Sequence, residues 1–542
     1  MRPINKDILK LAIPSILANI TVPLVGMVDI AVAGHLDGTM TAGEMISAAT
    51  MIGGIAIGSM LFDLLYWNFG FLRVGTGGLA AQAFGRNDRK ECARILARAL
   101  GIALGCALVL IAIQWIFLKA SFLVVDCTSQ VRELASTYFR IRIWAAPATL
   151  SLMAFKGWFI GMQDSVSPMI TDFVVNGMNI LMSIVLALGI AVGLSDAGLS
   201  GADISGIGLS GQDALHAGSE AVTADGLPSY GRHWLIRPMG FSGIAAGTVA
   251  AQYSGLLVAL ILLLTKYFRT TLSALCPDDL RQLFRGAETR RSFVMNRDLF
   301  IRSLCFIAIY IGFTTISARY GDVLLAVSSI LMKLLMIFSY FTDGFAYAGE
   351  ALTGRYIGAK DGEGLRQTVK WTFVWSMAIA VIFMGVYHFA GTPMLRMMTS
   401  DAAVINQART FMPWLLLMPV VGCAAFTWDG IYIGATASKA IRNAMLWAVI
   451  AFAGVWGLGM LGLDMFQPAA QSASQSASQP VTLPAASDSS ARNILAMHIL
   501  MAAYFAHLLA RTIYLSAIYK TTFHVPEKRT VSSGTESQKF LI

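Results

Sequence analysis

Twelve stretches of mainly apolar residues constrain the fold of this 542-residue chain more than any other feature. A helix of about 20 residues covers the roughly 30 Å of hydrocarbon in a bilayer, where backbone groups find no water and must bond within the segment. The sequence therefore predicts an all-α polytopic membrane protein with twelve transmembrane helices. The predicted helices lie near residues 8–34, 46–72, 92–118, 131–160, 168–194, 241–265, 298–318, 324–350, 370–391, 402–432, 441–463 and 493–519.

The charged residues predict the orientation of these helices. Only 13% of the residues are charged, about half the share in a soluble domain. The first apolar run has no clear small-residue cleavage site, so it predicts a retained helix rather than a signal peptide. With a cytoplasmic N-terminus, the cytoplasmic segments hold 26 Lys and Arg residues and the outer loops hold 8. Both termini are therefore expected in the cytoplasm, and the net charge of +9 indicates topology rather than a nucleic-acid partner.

Three connections differ from the rest in composition. Residues 195–240 are rich in Gly, Ser and Asp and predict a long, mobile outer loop. Residues 467–491 are a Gln/Ser/Ala tract and predict a second outer loop that is disordered. Residues 266–297 are charged and predict a cytoplasmic linker. The expected units are an N-terminal six-helix lobe (1–265), the linker (266–297), a C-terminal six-helix lobe (298–520) and a cytoplasmic tail (521–542).

An internal repeat relates the two halves. The sequence GWFIG at 157–161 recurs as GIYIG at 430–434, and GRND at 85–88 recurs as GAKD at 358–361. Both pairs are displaced by 273 residues. Because six crossings return the chain to its starting side, the two lobes run in the same direction. They are expected to be related by a pseudo-two-fold axis along the membrane normal, with a substrate cavity between them.

Asp29 is a lone carboxylate in the first apolar run. An ionised Asp at mid-membrane depth costs about 2.5–3.5 kcal/mol, so such residues tend to face a polar cavity and to serve function. Pro14 and Pro23 lie in the same run, and each removes a backbone donor and favours a bend. The pattern indicates a bendable helix that carries a titratable group. A purely structural acid, paired with a buried base or capping a broken helix, is the alternative.

Four stretches of the sequence match a known family: LAIPSILANITVPLVGMVDIAVAGHL, FGFLRVGTGGLAAQAFGRND, TDGFAYAGEALTGRYIGAKD and DGIYIGATASKAIRNAM. With these stretches the sequence resembles the multidrug and toxic compound extrusion (MATE) family, and most closely its DinF subfamily. The resemblance covers nearly the whole chain except the two polar outer loops. It implies a two-lobed exporter of amphipathic, often cationic organic molecules in the bacterial inner membrane, driven by inward movement of protons or sodium. It also implies that Asp29 is the acid of the N-lobe cavity and that the first helix bends about Pro14.

The fifth predicted helix holds further candidate cavity residues. Asn176 and Asn179 are three residues apart and share a helix face. The resemblance implies a cavity-lining amide at Asn179 and often a second acid four residues later, where this chain has Ser183. That departure leaves Asp29 as the expected main proton carrier. Hydrogen bonding between helices is the alternative role of both asparagines.

Charged residues in the apolar runs could form a gate or an ion-pair network. Lys156 and Asp429 occupy equivalent positions in the two repeats and could meet across the pseudo-axis. Alternatively, each pairs locally or extends to the membrane surface. Lys333, Asp343 and Glu350 share the eighth helix and could pair with one another or with bases of neighbouring helices. The two acids are also possible sodium ligands.

Two other classes of function remain as alternatives. A flippase for lipid-linked sugars or polysaccharide, from the same superfamily, is expected to carry several bases in its N-lobe, where this chain shows few. An integral-membrane enzyme is a remote alternative, because no nucleophile–base cluster is visible. The six cysteines are scattered and indicate neither a disulfide framework nor a metal site. The expected protein is a monomeric antiporter without cofactor, whose partners are a small-molecule substrate and the lipid bilayer.

Overall fold

The computed structural model describes residues 3–34, 40–41, 44–45, 47–123, 125, 127–193, 232–236, 239–274, 279, 283–284, 286–399, 401–476 and 485–523. Within these residues the chain is helical almost throughout. The α-helices are α1 (Pro3–Ile20), α2 (Val22–Gly34), α3 (Ala48–Trp67), α4 (Phe71–Gly85), α5 (Arg89–Ser121), α6 (Ser129–Arg142), α7 (Ala146–Gly161), α8 (Val166–Leu188), α9 (Phe241–Tyr267), α10 (Ala287–Ser317), α11 (Asp322–Gly358), α12 (Gly362–Met398), α13 (Ala402–Gly434), α14 (Ser438–Ser476) and α15 (Ala485–Thr522). The strands are β1 (Met40–Thr41), β2 (Glu44–Met45), β3 (Ile190–Gly193) and β4 (Arg232–Ile236).

Twelve helical segments of the described chain are long and apolar enough to cross a membrane, which confirms the predicted number. Several extend beyond the bilayer: span 8 has 37 residues, or roughly 55 Å of helix. In chain order they are spans 1 (Ile4–Ala33), 2 (Thr50–Gly85), 3 (Arg89–Ser121), 4 (Ser129–Gly161), 5 (Val166–Leu188), 6 (Phe241–Tyr267), 7 (Glu288–Tyr320), 8 (Asp322–Gly358), 9 (Gly362–Met398), 10 (Ala402–Gly434), 11 (Ser438–Met465) and 12 (Ala491–Thr522).

The two ends of the bundle differ in their connections. Short turns follow spans 2, 4, 8 and 10, and we call the end that carries them the turn face. The opposite end, the hairpin face, carries the antiparallel pairs β1–β2 and β3–β4. The β3–β4 pair includes 232–236 and therefore gives structure to part of the loop that the sequence predicts over 195–240; residues 194–231 and 237–238 lie outside the described residues.

Backbone geometry repeats with the offset that the motifs predict. Four non-glycine residues adopt positive φ within the described chain: Asn87 (60°), Gln163 (63°), Lys360 (55°) and Thr436 (55°). They form two pairs that are each 273 residues apart, in the turns after spans 2 and 8 and after spans 4 and 10. A left-handed residue is a common way to end a helix, but it is unfavourable for a β-branched residue such as Thr436. The two lobes therefore share their turn geometry even where the side chains differ.

Glycines let the lobes approach closely at the turn face. A Cβ atom on Gly85 would lie 2.0 Å from the Arg355 carbonyl oxygen, and one on Gly358 would lie 2.2 Å from the Gln82 carbonyl oxygen. These contacts are reciprocal, because spans 2 and 8 are equivalent helices of the two repeats. Side chains at these glycines would hold the backbones apart. Small residues at helix crossings allow this approach in membranes, where close packing rather than hydrophobic burial drives association.

Buried apolar clusters lie in both lobes, and the cluster that contains Phe62 continues into the C-terminal lobe through Trp428 and Tyr432. Phe62 and Phe139 are fully buried in the N-terminal lobe, and their ring centroids lie 4.5 Å apart. Phe338 and Phe411 are fully buried in the C-terminal lobe. Apolar packing therefore also contributes to the contact between the lobes.

Three N-lobe helices are interrupted inside the membrane span, and the sequence predicted a bend only in the first of them. Span 1 breaks at Thr21, span 2 passes through a 3₁₀ turn at Asn68–Gly70, and span 4 passes through another at Ile143–Ala145. Helix α1 continues through Pro14, so the interruption in this conformation lies beside Pro23 instead. Short 3₁₀ segments within helices often mark hinges, and discontinuous helices often surround transporter sites.

One acid holds the turn between spans 4 and 5. Asp164 accepts hydrogen bonds from the backbone N–H and the hydroxyl of Ser167, at 3.0 and 2.6 Å, and Lys266 lies 3.1 Å away. Burial opposes ionisation, but these bonds outweigh it and hold the pKa of Asp164 below its usual value. The equivalent residue of the second repeat is Ala437, so this anchor belongs to the N-lobe alone.

The predicted linker packs against the N-lobe. Asp279 forms ion pairs with Arg94 and with Lys90, the latter at 3.0 Å, and the Phe284 ring lies against Gly101 of span 3. The linker is therefore attached to span 3 and ends where α10 begins.

The predicted disorder over 467–491 is wrong in part. Helix α14 runs to Ser476 and α15 begins at Ala485, and residues 477–484 lie outside the described residues. Ala and Gln favour helix, and Ser is only moderately unfavourable, so a polar tract of this composition can extend helices that begin in the membrane.

Candidate functional site

Asp29 lies at a junction between spans 1 and 5. Its side chain is buried, and the Ser183 hydroxyl donates a hydrogen bond to Asp29 Oδ1 at 3.0 Å. Ser183 is held in place from behind, because a Cβ atom on Gly247 of span 6 would lie 2.6 Å from the Ser183 backbone nitrogen. No ion pair within 4.0 Å involves Asp29 in the described part of the chain. Asp29 and Ser183 are therefore in contact. Ser183, at the position where the family resemblance often implies a second acid, forms a hydrogen bond to Asp29 instead.

The asparagines of span 5 make other contacts. Asn176 donates to the Thr21 hydroxyl at 2.5 Å, which places it at the break in span 1. Asn179 donates to the Thr248 hydroxyl at 3.0 Å, and its own side-chain oxygen is buried without a partner in the described structure. Both amides join helices, which is the alternative that the sequence left open. Asn176 also binds the interrupted turn that precedes Asp29.

A second N-lobe acid, Asp63, is a candidate that the sequence reasoning missed. It lies well inside span 2 and its side chain is exposed. Electrostatic interactions with Tyr310 of span 7 and Tyr340 of span 8 place it on the side of span 2 that faces the C-terminal lobe. It interacts electrostatically with Arg142 of span 4 and with Lys333 of span 8. The signal was present in the sequence, because Asp63 interrupts the apolar run MLFDLLYW much as Asp29 interrupts its own.

Arg142 is the cation that faces both N-lobe acids. It interacts electrostatically with Asp29 and with Asp63, although no ion pair within 4.0 Å joins it to an acid among the described residues. Its Nη1 donates to the Tyr138 hydroxyl at 2.9 Å, and its guanidinium carbon lies 4.8 Å from the centre of the Phe62 ring. The N-lobe site therefore contains the acids Asp29 and Asp63, the base Arg142 and the aromatic rings of Phe62 and Tyr138.

Lys156 and Asp429 do not pair with each other in this conformation. Lys156 Nζ lies 2.7 Å from Asp172 within the N-lobe. Asp429 Oδ2 lies 2.6 Å from an Arg302 nitrogen and 2.5 Å from an Arg511 nitrogen within the C-lobe. Each charge is neutralised by bases or acids of neighbouring helices, which is the local pairing that the sequence left as the alternative.

Glu350 instead forms a buried ion pair that joins the lobes. The Arg73 Nη1 atom of span 2 lies 3.3 Å from Glu350 Oε2, and the Glu350 side chain is completely buried. The Arg73 guanidinium also lies 4.3 Å from the Tyr347 ring centre. Asp343 interacts electrostatically with Arg73 but makes no ion pair within 4.0 Å with Lys333 in the described structure. The three charges of span 8 therefore do not pair with one another.

Side-chain amides add to the closure of the turn face. Gln82 of span 2 donates to the Gly434 carbonyl oxygen at 3.1 Å and to the Thr436 hydroxyl at 3.2 Å. Gln163, after span 4, donates to the Ala351 carbonyl oxygen at 2.8 Å. Together with the glycine contacts and the Arg73 ion pair, these bonds hold the two lobes against each other at the turn face. The exposed side chains of Asp63 and Lys333 lie in the cleft between the lobes, on the hairpin-face side of these contacts.

The described residues contain no group of three or more His, Cys, Asp or Glu side chains that could hold a metal ion. The five cysteines that the structure describes are free thiols. Cys276 lies outside the described residues.

Comparisons with known proteins agree with this architecture. The family model described as MatE matches residues 14–185 and 299–455, one match in each half of the chain. The Escherichia coli K12 protein named DNA damage-inducible protein F is 32% identical over 449 residues, which cover 83% of this chain and 84% of that protein.

Solved structures share the fold at low sequence identity. A structure titled as the outward-facing conformation of a multidrug resistance MATE family transporter has a TM-score of 0.70 and 13% identity, with 97% of each chain covered. A transporter of the MOP superfamily from Pyrococcus furiosus, whose title reports a binding pocket of reverse polarity, has a TM-score of 0.69 and 13% identity, with 96% of each chain covered. The two matched repeats, the full-length relative and the common fold show that this chain is a multi-pass membrane protein of the MATE family of transporters, in its DinF subfamily.

Proposed function

We propose that this MATE transporter is an antiporter that exports amphipathic organic cations in exchange for protons, with Asp29 as the coupling acid. The observation that carries the proposal is the environment of Asp29. Its carboxyl group is buried inside the membrane span, has the Ser183 hydroxyl as its partner, and has no base within 4.0 Å among the described residues.

This environment suits a group that alternates between two occupants. A carboxylate can accept the hydrogen bond from Ser183, whereas a protonated carboxyl can donate one to the same hydroxyl oxygen. Neither form requires the helices to rearrange. A proton and an organic cation each neutralise the same charge, so binding of one disfavours binding of the other. Such competition at a single acid couples export to proton entry.

The arrangement of the lobes supports alternating access. The turn face is held shut by the Arg73–Glu350 ion pair and by close glycine contacts, while Asp63 and Lys333 are exposed in the cleft beyond it. The positive-inside rule assigns the turn face to the cytoplasm. On this assignment the conformation described here is closed to the cytoplasm, and transport requires these contacts to open in turn.

The charges in the cleft favour a cationic substrate over the pyrophosphate of a lipid-linked sugar. A flippase site would need several bases without competing acids, but here Arg142 and Lys333 both interact with Asp63, and Arg142 also interacts with Asp29. These acids would repel a pyrophosphate. An exporter of cations uses them directly.

The proposed exchange of one proton for one monovalent cation moves no net charge. The membrane potential, about 2.3 kcal/mol per charge at 100 mV, would then not contribute. The driving force is the pH gradient, which supplies about 1.4 kcal/mol per unit. Sodium coupling is the alternative, with Asp343 and Glu350 as candidate ligands, and it requires no pH gradient.

Dye export in everted membrane vesicles tests the proposal, with the potential clamped at zero and the proton and sodium gradients imposed separately. Export is expected to follow the pH gradient and to ignore sodium. Asp29→Asn should reach normal membrane abundance but lose coupled export, because Asn keeps the volume and abolishes the titratable charge. Asp322→Asn is the matched control, since Asp322 is an exposed acid at the end of span 8.

Two results would contradict the proposal. Wild-type export by an abundant Asp29→Asn protein would show that this acid is only structural. Export that is driven by a sodium gradient alone at uniform pH would show that sodium, and not the proton, is the coupling ion.

A further inference from the structure

We propose that Arg142 is a tethered internal cation. It occupies the N-lobe acid site in the absence of substrate, and the cationic group of the substrate displaces it. This inference rests on the proposed function and specifies its substrate class. A site that fits a guanidinium over an aromatic ring should prefer delocalised, weakly hydrated cations to compact ammonium ions.

The charges around Arg142 support a displaceable cation. It interacts electrostatically with both Asp29 and Asp63, but the described structure contains no ion pair within 4.0 Å between Arg142 and either acid. A close bidentate pair would compete strongly with any substrate. At longer range, Arg142 compensates both acids and still leaves their oxygen atoms available.

Neutral groups hold the Arg142 side chain in this position. The Tyr138 hydroxyl accepts a hydrogen bond from Nη1 at 2.9 Å, and the Ser59 hydroxyl accepts a longer one at 3.5 Å. The Tyr138 ring fits against span 2 because Gly58 has no side chain; a Cβ atom there would lie 2.6 Å from the ring. The arginine is thus fixed by two hydroxyl groups, which a modest movement can release.

The surrounding rings form a rigid surface for a flat cation. The Arg142 guanidinium lies 4.8 Å from the Phe62 ring centre and 5.5 Å from that of Tyr138. Phe62 is fully buried and stacks on Phe139. A substrate cation that replaces the guanidinium over Phe62 would gain the same ring contact. The cation–π energy that is lost by Arg142 is therefore regained by the substrate.

The backbone beside Arg142 gives it a route away from the acids. Arg142 is the last residue of α6, and the 3₁₀ segment Ile143–Ala145 separates it from α7. Cations are favoured at the C-terminal end of a helix, so the resting position is also stabilised by the α6 dipole. Rotation at this interruption would move the guanidinium without unwinding the rest of span 4.

Binding of tetraphenylphosphonium, a delocalised lipophilic cation, to the purified full-length protein tests the inference. Arg142→Gln is expected to bind this probe about fivefold more tightly than the wild type, because the substitution removes a competing cation. The expected gain corresponds to the interaction free energy of a strong solvent-exposed ion pair. Added methylguanidinium should compete with the probe in Arg142→Gln and have little effect in the wild type, where the tethered group already fills the position.

Arg140→Gln is the matched control. Arg140 lies two residues earlier, is exposed, and stacks over Trp115 at 4.8 Å away from the acids, so its loss should leave affinity unchanged. If Arg142→Gln does not fold, Arg142→Lys replaces it; a compact ammonium stacks less well on Phe62, and a smaller gain in affinity is expected.

The outcomes separate this inference from the proposed function. Affinity at or below the wild-type value in Arg142→Gln, or in Arg142→Lys where that variant is needed, overturns the tethered-cation role while cation export stands. Failure of the wild type and of Arg140→Gln to bind or export any cationic probe overturns the proposed function, and the inference with it.

Discussion

The Arg73–Glu350 ion pair provides the most direct test of how the turn face closes. Glu350 is completely buried, and the Arg73 side chain is 17% exposed, so water screens the pair only slightly. Removal of one partner of a buried ion pair costs about 3–5 kcal/mol, because the other charge is left uncompensated. Glu350→Gln keeps the side-chain volume next to Gly77 and leaves Arg73 without its counter-ion.

The cost falls on one conformation. The pair joins span 2 of one lobe to span 8 of the other, so it exists only when the turn face is closed. A loss of about 3–5 kcal/mol converts to a change of about a hundredfold to a few thousandfold in the equilibrium between closed and open turn faces. If the open form of the wild type is roughly 1% populated, the variant should be at least half open.

Distances between spin labels at positions 89 and 439, on opposite lobes of the turn face, measure this equilibrium. The Glu350→Gln distribution should shift towards longer distances than that of the wild type. Glu363→Gln is the control, because the Glu363–Arg366 pair is exposed on the surface and contributes little. An unchanged distance distribution in a folded Glu350→Gln protein would refute the reasoning. It would show that the loss of this buried ion pair does not change the equilibrium between closed and open turn faces.

Three further predictions follow from the fold. Pro14→Ala should slow transport without removing substrate binding, measured as dye efflux against dye affinity, if span 1 bends about that residue. Single cysteines at Ser210 and Ser476 on a cysteine-free background should react with an impermeant reagent in intact cells; reaction only after permeabilisation would reverse the assigned orientation. Gly85→Ala should prevent close approach of the lobes and reduce transport at least tenfold, whereas Gly26→Ala should leave transport near normal, because no atom lies within 4 Å of the added Cβ.

The sequence alone determined the features that depend on local composition. A segment that crosses a bilayer must be apolar over about 20 residues and must satisfy its own backbone, so each of the twelve spans was visible without reference to the others. The repeat was equally local: two short motifs with a common displacement of 273 residues predicted two related lobes, and the structure has left-handed residues at Asn87 and Lys360 with that same displacement. Asp29 stood out for the same reason, as a charge in an apolar run.

Only the tertiary structure decided which groups meet. Arg73 and Glu350 are 277 residues apart, and their pairing depends on how two lobes pack, which no local pattern encodes. Lys156 and Asp429 occupy equivalent positions but bind different neighbours, because a repeat conserves the backbone path and not the charges packed around it. The partners of a buried charge are set by helices that are distant in sequence, and that is why the chain could indicate Asp29 and Ser183 as candidate site residues but not the hydrogen bond that joins them.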